Sequence, residues 1–291
     1  MLLLDKPTGL SSNTALQVAR RLFNAEKAGH TGTLDPLATG LLPLCFGEAT
    51  KFAGELLDAD KAYRATLKLG TTTDTADAEG QVLQTRPVNV TADAFDAVLR
   101  QFLGEIDQVP PMYSALKRDG KPLYEYARAG IELERAPRRV TLHELRCLSF
   151  AGDTAEIEVA CSKGTYVRTL AADIGEVLGC GAHLTALRRT RIGELGLAGA
   201  VTLEQLEGLE TAARDACLAP ADALVSKLPS AELSGQEVAR VLHGQAVRWN
   251  GAPGQRWRLY GEGRFLGLAS MTPDGWLQPK RLLAANFAAG S

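Results

Sequence analysis

The sequence predicts two structural parts, a mixed α/β domain over residues 1–228 and a small all-β domain over residues 229–291. In the first part, segments with strict apolar/polar alternation stand beside segments whose apolar residues repeat at helical spacing, so strands and helices are mixed. In the second part, short runs rich in Val, Trp, Leu and Tyr are separated by glycine-containing turns. That pattern is typical of a small barrel or sandwich.

The expected elements follow from local patterns. Ser11 and Ser12 are good N-caps for a helix with an apolar stripe behind them, and Thr91 precedes a second such stripe that ends before Gly104. In chain order we predict a buried strand at 2–4, a helix from about 12, a strand at 63–69, a helix from 91, a strand at 155–161 and a helix at about 169–178.

The composition is that of a globular protein, with 45% hydrophobic and 23% charged residues. The absence of a long apolar run predicts no membrane span, and Asp5 interrupts the apolar start too early for a signal peptide. The five cysteines show no C-x-x-C spacing, so we expect no disulfide scaffold or zinc ribbon and a reducing, cytoplasmic location. The four histidines form no i, i+4 pair, so no helical metal site is indicated.

Charge is segregated although the net charge is only −2. Residues 117–146 carry eight Lys/Arg against five acids, and residues 183–191 carry three arginines and no acid. Residues 235–285 carry seven basic residues against three acids. These segments predict a basic face that could neutralise phosphates; an ordinary solvated surface is the alternative that composition alone leaves open.

The densest local motif is residues 29–40, where three glycines, a proline and three threonines surround the single carboxylate Asp35. A tight loop of this kind can hold a carboxylate rigidly and let a substrate approach closely. An ordinary Asp-Pro turn is the alternative. A phosphatase loop of the D-x-D-x-T type is excluded because Leu37 occupies the second Asp position.

Residues 162–169 lie where a predicted strand ends and a helix begins, a place that suits anions because unpaired N–H groups point outward. They could present Tyr166 and Arg168 near the helix start; an ordinary capped helix is the alternative. The order of residues is not that of a Walker A loop. Residues 74–80 suggest a calcium loop, but Ala76 and Ala78 stand where oxygen ligands are needed, so we reject that site.

Taken together, these segments resemble the TruB family, the bacterial tRNA pseudouridine-55 synthases. The likeness covers residues 2–225 in family order and weakens after about residue 230. The matching runs are LLDKP at 3–7, GLSS at 9–12, GHTGTLDPLATGLLP at 29–43, GEATK at 47–51, DKAYRA at 60–65, LGTTTDTADAEG at 69–80, PPMYSALKRDGKPLYEYARAG at 110–130 and CSKGTYVRTLAADIGEVLGCGAHLTALRRTRIG at 161–193.

The resemblance implies a pseudouridine synthase fold, with a largely antiparallel central sheet flanked by helices, an RNA-gripping insertion at about 110–140 and a PUA-like C-terminal barrel. It implies catalysis by three residues: Asp35 resembles the nucleophile, Tyr63 the tyrosine that stacks on the target uracil and acts as base, and Arg168 the partner that holds the aspartate. A free tyrosine, with a pKa of about 10, is a weak base unless its site lowers that pKa.

The same resemblance implies substrate contacts. His30 looks like the residue that enters the RNA loop, and Tyr166 and Leu187 look like walls of the uridine pocket. Lys6 matches a motif lysine that we place among the substrate contacts; a structural role is the alternative. We also expect five basic residues to contact the RNA backbone: Lys117, Arg118, Lys121, Arg188 and Arg189.

The implied reaction moves a bond within one nucleotide, so we expect neither cofactor nor metal. The expected partner is tRNA, bound at its T stem-loop and, through the C-terminal domain, at the acceptor stem; no obligate protein partner is expected. Three alternatives stay open: a non-catalytic RNA-binding or RNA-chaperone protein, a synthase of the same fold acting on ribosomal or guide-selected sites, and a hydrolase. The hydrolase is disfavoured because the sequence places no second acid or base beside Asp35.

Overall fold

The structure is a computed structural model and describes residues 1–284. The strands of this part are β1 (Leu2–Lys6), β2 (Ala28–His30), β3 (Thr39–Phe46), β4 (Lys61–Leu69), β5 (Thr71–Thr73), β6 (Val82–Thr85), β7 (Gly104–Gln108), β8 (Lys117–Arg118), β9 (Lys121–Pro122), β10 (Arg138–Ala151), β11 (Thr154–Cys161), β12 (Ala182–Ile192), β13 (Leu195–Gly196), β14 (Ser230–Leu233), β15 (Val247–Arg248), β16 (Arg256–Gly261), β17 (Arg264–Met271) and β18 (Trp276–Leu282).

The α-helices are α1 (Ser12–Leu22), α2 (Ala92–Gln101), α3 (Leu123–Arg128), α4 (Val167–Val177), α5 (Leu203–Gly208), α6 (Thr211–Asp215) and α7 (Gly235–Leu242). Two 3₁₀ helices span Gly47–Leu56 and Ala221–Val225. None of the helices described here combines the length and the apolar character needed to cross a bilayer.

One large sheet organises the first part of the chain. Its main strand order is β1-β3-β12-β4-β11-β10-β7, with β2 beside β3 and β13 beside β12. Every neighbouring pair is antiparallel except β3 and β12. The predicted mixed α/β fold with a largely antiparallel sheet is therefore confirmed.

Helices α1 and α2 begin at capping side chains. The Ser11 hydroxyl accepts a hydrogen bond from the Thr14 amide at the start of α1, and Thr91 does the same for Ala94 at the start of α2. Each helix buries an apolar stripe against the sheet, as the spacing of its apolar residues predicts. Strands β4 and β11 were predicted from the alternation of apolar and polar residues. In the structure, each strand points its side chains alternately to the core and to the surface along most of its length.

The C-terminal part is a five-stranded sheet in the order β14-β16-β17-β18-β15. It has its own apolar core and contacts the first part through Phe265, whose ring centroid lies 5.3 Å from that of Phe52. Helix α7 was not predicted from the sequence, although a capping box formed by Ser234 and Glu237 marks its start. The division at residue 228 stays a prediction, and the last residues of the proposed domain 229–291 lie outside the described part of the chain.

The parallel contact between β3 and β12 depends on Gly40. Its φ is +97°, and a Cβ placed there would lie 2.3 Å from the Arg189 carbonyl oxygen. A side chain therefore meets both an unfavourable backbone conformation and a backbone atom that cannot move aside cheaply.

We predict that Gly40→Ala lowers the free energy of unfolding by about 2–4 kcal/mol, because strain and a backbone clash coincide. Chemical denaturation followed by circular dichroism measures this. Gly54→Ala is the matched control, since a methyl group at that position would meet no neighbouring atom within 4 Å and its φ is not positive. Equal stability of the two variants would contradict the role given to Gly40.

Candidate active site

A cleft of about 310 Å³ opens beside the middle of the large sheet. The loop after β2, strands β4 and β12, the start of α4 and the segment before β8 contribute to its walls. Its lining residues are Thr33, Leu34, Asp35, Tyr63, Ser114, Ala115, Leu116, Thr165, Tyr166, Val167, Arg168 and Leu187. The structure thus brings five of the predicted site residues together, namely Asp35, Tyr63, Tyr166, Arg168 and Leu187.

The loop that carries Asp35 is held from below by α1. The Ser12 hydroxyl donates to the Leu34 carbonyl at 3.0 Å and accepts from the Leu34 amide at 2.7 Å. On the other side of Asp35, the Ala38 amide donates to the Asp35 carbonyl at 3.1 Å. Fixing the backbone on both sides leaves the carboxylate few directions in which to point.

Asp35 forms an ion pair with Arg168. The Oδ2 atom of Asp35 lies 2.9 Å from Nε of Arg168; the Asp35 side chain is 39% exposed and that of Arg168 only 5%. The other guanidinium nitrogens are also engaged, with Nη1 donating to the Thr75 carbonyl at 2.9 Å and Nη2 to the Tyr113 carbonyl at 2.7 Å. An arginine so anchored is a fixed cation, and it orients a carboxylate that still reaches solvent.

A second carboxylate, Asp77, supports the same arginine from the interior. Its Oδ2 lies 3.5 Å from Nε of Arg168, and Asp77 is buried. Its Oδ1 accepts hydrogen bonds from the Thr75 hydroxyl at 2.6 Å and the Glu79 amide at 3.1 Å. Asp77 was not among the predicted site residues, because residues 74–80 were weighed as a calcium loop. The sequence signal that could have found Asp77 is an acid whose carboxylate can accept a hydrogen bond from the backbone amide two residues later.

Tyr63 lies on β4, which pairs with β12, and its side chain is buried in the wall of the cleft. Burial raises the pKa of its phenol, while the nearby Arg189 guanidinium acts in the opposite direction. The net direction is upward, so the neutral phenol predominates at neutral pH. The site does not lower this pKa, which is the change that a tyrosine base needs.

Tyr166 and Leu187 form other parts of the wall. The backbone of Tyr166 is tied to Gln108 by two hydrogen bonds, of 2.8 Å from its amide and 3.1 Å to its carbonyl. Burial raises the pKa of the Tyr166 phenol, so it too stays neutral. A pyrimidine inserted here would meet two neutral phenols and the Leu187 side chain beside the ion pair of Asp35 and Arg168.

His30 lies at the end of β2, outside the residues that line the cleft. Its Nδ1 atom is buried without a hydrogen-bond partner in residues 1–284. Burial, and then the charge of Arg189, lower the pKa of its imidazole. The ring is therefore neutral at neutral pH.

Lys6 does not occupy a substrate-binding position. It is fully buried, and its Nζ donates to the carbonyls of Pro7, Leu10 and Pro36 at 2.8, 2.7 and 3.4 Å. Burial lowers its pKa to about 8. The expectation that it touches substrate is corrected: it ties the first turn of the chain to the loop that carries Asp35.

The expected RNA-contacting residues divide into three groups. Lys117 and Arg118 are exposed on β8, and Lys121 is partly exposed beside Glu125. Arg188 is partly exposed but pairs with Asp5 at 2.6 Å, so its charge is already shared. Arg189 is only 1% exposed, and the expectation that it contacts RNA phosphates is wrong because RNA cannot reach it.

A larger cavity, of about 370 Å³, lies between the 3₁₀ helices and the end of β12. Several of its charged lining residues are already paired, for example Lys227 with Glu194 at 2.8 Å. It contains none of the predicted catalytic residues, so the smaller cleft is the candidate active site. Within residues 1–284, no three His, Cys, Asp or Glu side chains group in a way that could hold a metal ion.

Comparison with known protein families decides the affiliation. Residues 20–167 match the N-terminal domain of the TruB family pseudouridylate synthases. The chain belongs to the TruB family. Residues 168–226 match the tRNA pseudouridylate synthase B C-terminal domain, and residues 229–283 match the C-terminal region described as pseudouridine synthase II TruB.

Curated relatives of this TruB-family protein are similar over nearly their whole length. It is 61% identical to the tRNA pseudouridine synthase B of Azoarcus sp. strain BH72 over 284 residues, covering 98% of this chain and 94% of that protein. It is 58% identical to the protein of the same name from Chromobacterium violaceum over 288 residues, covering 98% and 94%.

Solved structures agree with this affiliation. The Cbf5 chain of a Cbf5-Nop10-Gar1 complex matches with a TM-score of 0.75 and 26% identity, covering all of this chain and 87% of that one. The archaeal box H/ACA sRNP Nop10-Cbf5 complex matches with a TM-score of 0.74 and 25% identity, covering 100% and 88%. The fold of this TruB-family protein, including its PUA-like C-terminal part, is thus that of a pseudouridine synthase.

We predict that Asp77→Asn lowers the rate of pseudouridine formation roughly 10- to 100-fold, because Arg168 loses a buried charged acceptor that fixes its position. Single-turnover assays on an RNA substrate measure the rate. The control is Asp74→Asn, an exposed acid of the same loop whose Oδ1 accepts from the Gln81 amide. A rate for Asp77→Asn equal to that of the control would rule out this support of Arg168.

Proposed function

We propose that this protein converts uridine 55 in the T-loop of tRNA to pseudouridine, with Asp35 as nucleophile. The observation that carries the proposal is the ion pair of 2.9 Å between a partly exposed carboxylate and a buried arginine, in a cleft walled by tyrosine and leucine side chains. The substrate is proposed from the relatives, which are tRNA pseudouridine synthases B.

The reaction is an isomerisation that balances within one nucleotide. The bond between N1 and C1′ breaks, the bond between C5 and C1′ forms, and a proton leaves C5 while N1 gains one. An ionised carboxylate can begin this sequence by adding to C1′ of the ribose or to C6 of the uracil. Both routes need the same carboxylate in the same place, so both fit the proposed role of Asp35.

Arg168 is proposed to orient Asp35 and to remain paired with it while the substrate binds. Its two carbonyl contacts, to Thr75 and Tyr113, hold the guanidinium so that it cannot follow the carboxylate outward. Asp77 completes this support from the buried side. This preorganisation aligns the nucleophile before the substrate binds, so the reaction itself does not bear the entropic cost of that alignment.

The uridine must leave its base stack to reach Asp35, at a cost of a few kcal/mol. We propose that contact with Tyr63, Tyr166 and Leu187 offsets that cost, since all three line the cleft. His30, neutral and close to the same loop, is proposed to enter the space that the base leaves. Because burial raises the pKa of Tyr63, we propose that its phenol stacks on the base and forms hydrogen bonds, and we do not assign it the role of general base.

The RNA backbone is proposed to contact Lys117, Arg118 and Lys121 in the insertion, and Arg188 after release from Asp5. The C-terminal sheet is proposed to reach the acceptor stem. A tRNA substrate places the protein in the cytoplasm, and no obligate protein partner is proposed. The competing function, non-catalytic RNA binding or RNA chaperoning, shares these contacts, so product formation is the measurement that separates the two.

We predict that Asp35→Asn reduces pseudouridine formation more than about 1,000-fold, because an amide is not a nucleophile, while the affinity for tRNA stays within about threefold. Release of tritium from C5 of labelled uridine in a tRNA transcript measures turnover, and filter binding measures affinity. A transcript with cytidine at position 55 is the control and should give no signal with the wild-type protein. Substantial turnover by Asp35→Asn would remove Asp35 from the chemistry.

We predict that Lys117→Ala weakens tRNA binding and reduces the slope of log affinity against log salt by roughly one, because one phosphate contact is lost. Lys227→Ala is the matched control, an exposed lysine at the other cavity. Binding titrations across a salt series measure both slopes. An unchanged slope for Lys117→Ala would place this lysine outside the RNA interface.

A further inference from the structure

Arg189 is a buried cation that the proposed catalytic steps do not use. Its Nε donates to the Leu41 carbonyl at 2.8 Å, and its Nη1 and Nη2 donate to the carbonyls of Thr33 and Gly32 at 3.3 and 3.2 Å. These three carbonyls lie on both sides of Asp35 in sequence. The guanidinium therefore clamps the ends of the loop that carries the proposed nucleophile.

The charge of this guanidinium is not neutralised by an acid. Among residues 1–284, no carboxylate forms an ion pair with Arg189, in contrast to Arg168 and Arg188. Burial lowers its pKa, but an arginine keeps its proton in proteins. Burying a charge that no acid neutralises costs free energy of folding. Uncharged donors could also have satisfied the loop carbonyls. These hydrogen bonds alone therefore do not explain why a charged arginine occupies this position.

The side chain that shares this charge is Tyr63. Residues 63 and 189 are directly opposite each other on β4 and β12, and the guanidinium lies beside the phenol. The Tyr63 side chain lines the cleft, whereas Arg189 does not. Tyr63 is thus the route by which the buried positive charge of Arg189 acts on a molecule inside the cleft.

The proposed reaction places negative charge on the pyrimidine. If Asp35 attacks C1′, the electron pair of the N1–C1′ bond stays on the departing uracil; if it attacks C6, the pair of the C5–C6 bond is delocalised toward O4. In both cases a hydrogen-bond donor backed by a cation stabilises the intermediate more than it stabilises the neutral base, which is the requirement for faster catalysis.

We propose that Arg189 is a positioning residue that acts through the Tyr63 hydroxyl, polarising it toward the pyrimidine while negative charge develops there. The proposal rests on the proposed function and adds a role that neither the loop contacts nor the wall of the cleft requires. Because Arg189 touches no substrate, its effect belongs in kcat rather than in KM. Because this role runs through one hydroxyl, the corresponding part of the effect of Arg189 must disappear when that hydroxyl is removed, and only a small part due to its loop contacts can remain.

A double-mutant cycle tests this with Arg189→Lys, Tyr63→Phe and the combined variant, each checked for its fold by circular dichroism. We expect Arg189→Lys to lower kcat about 10- to 100-fold with KM changed less than about threefold. In the Tyr63→Phe background the same substitution should cost less than about threefold. The matched control is Arg100→Lys, an exposed arginine of α2 that lies outside the cleft and should leave kcat unchanged.

A full loss of rate in the Tyr63→Phe background, or a loss confined to KM, would overturn the proposal. If Arg189→Lys fails to fold, Tyr63→Phe alone decides, because it removes the phenol that shares the buried charge and should lower the melting temperature by about 3 °C. An unchanged or higher melting temperature would overturn the proposal. The wild-type protein and Asp35→Asn are assayed in parallel: an inactive wild type overturns the proposed function, whereas an active wild type with an additive cycle overturns only this inference.

Discussion

The ion pair between Asp35 and Arg168 is the interaction on which the site depends. Asp35 comes from a loop at the edge of one half of the sheet and Arg168 from the first turn of α4, so their contact brings distant parts of the chain to one point. Arg168 also holds the carbonyls of Thr75 and Tyr113, and through them the β5–β6 hairpin and the insertion. Loss of this arginine would release three segments together, beyond the loss of one charge.

The sheet makes that contact possible by its one parallel pairing. Strand β12 lies between β3 and β4, so the loop before β3 and the tyrosine of β4 meet over one strand. Gly40 permits the close approach of β3 to β12, and the buried Arg189 of β12 donates a hydrogen bond to the Leu41 carbonyl of β3. Two buried cations therefore flank the proposed reaction centre. Arg168 faces the carboxylate, and Arg189 faces the phenol on the opposite wall.

Local patterns predicted a helix from about residue 12, a helix from residue 91 and the alternating strands, because caps and periodicity are local in sequence. They did not place Arg189 in the interior, although it alternates with Arg188 and shares the buried face of Leu187, because a fully buried arginine is rare. Lys6 was predicted to contact substrate because lysine side chains are almost always exposed in folded proteins, whereas this lysine is fully buried. Asp77 was missed because its partner, Arg168, is far away in sequence. The likeness to a family located Asp35 and Arg168, and only the folded chain shows why they need each other.

The central claim is that an extruded pyrimidine meets Asp35 inside the cleft while Arg168 keeps its place. A crystal structure of the protein bound to a T stem-loop RNA tests it most directly. We expect the target base to lie between Tyr63 and Tyr166, with an Asp35 oxygen about 3–3.5 Å from C1′ or C6 and the contact with Arg168 intact. A target base that stays stacked in the RNA, or that lies in the cleft with Asp35 turned away from it, would contradict the account.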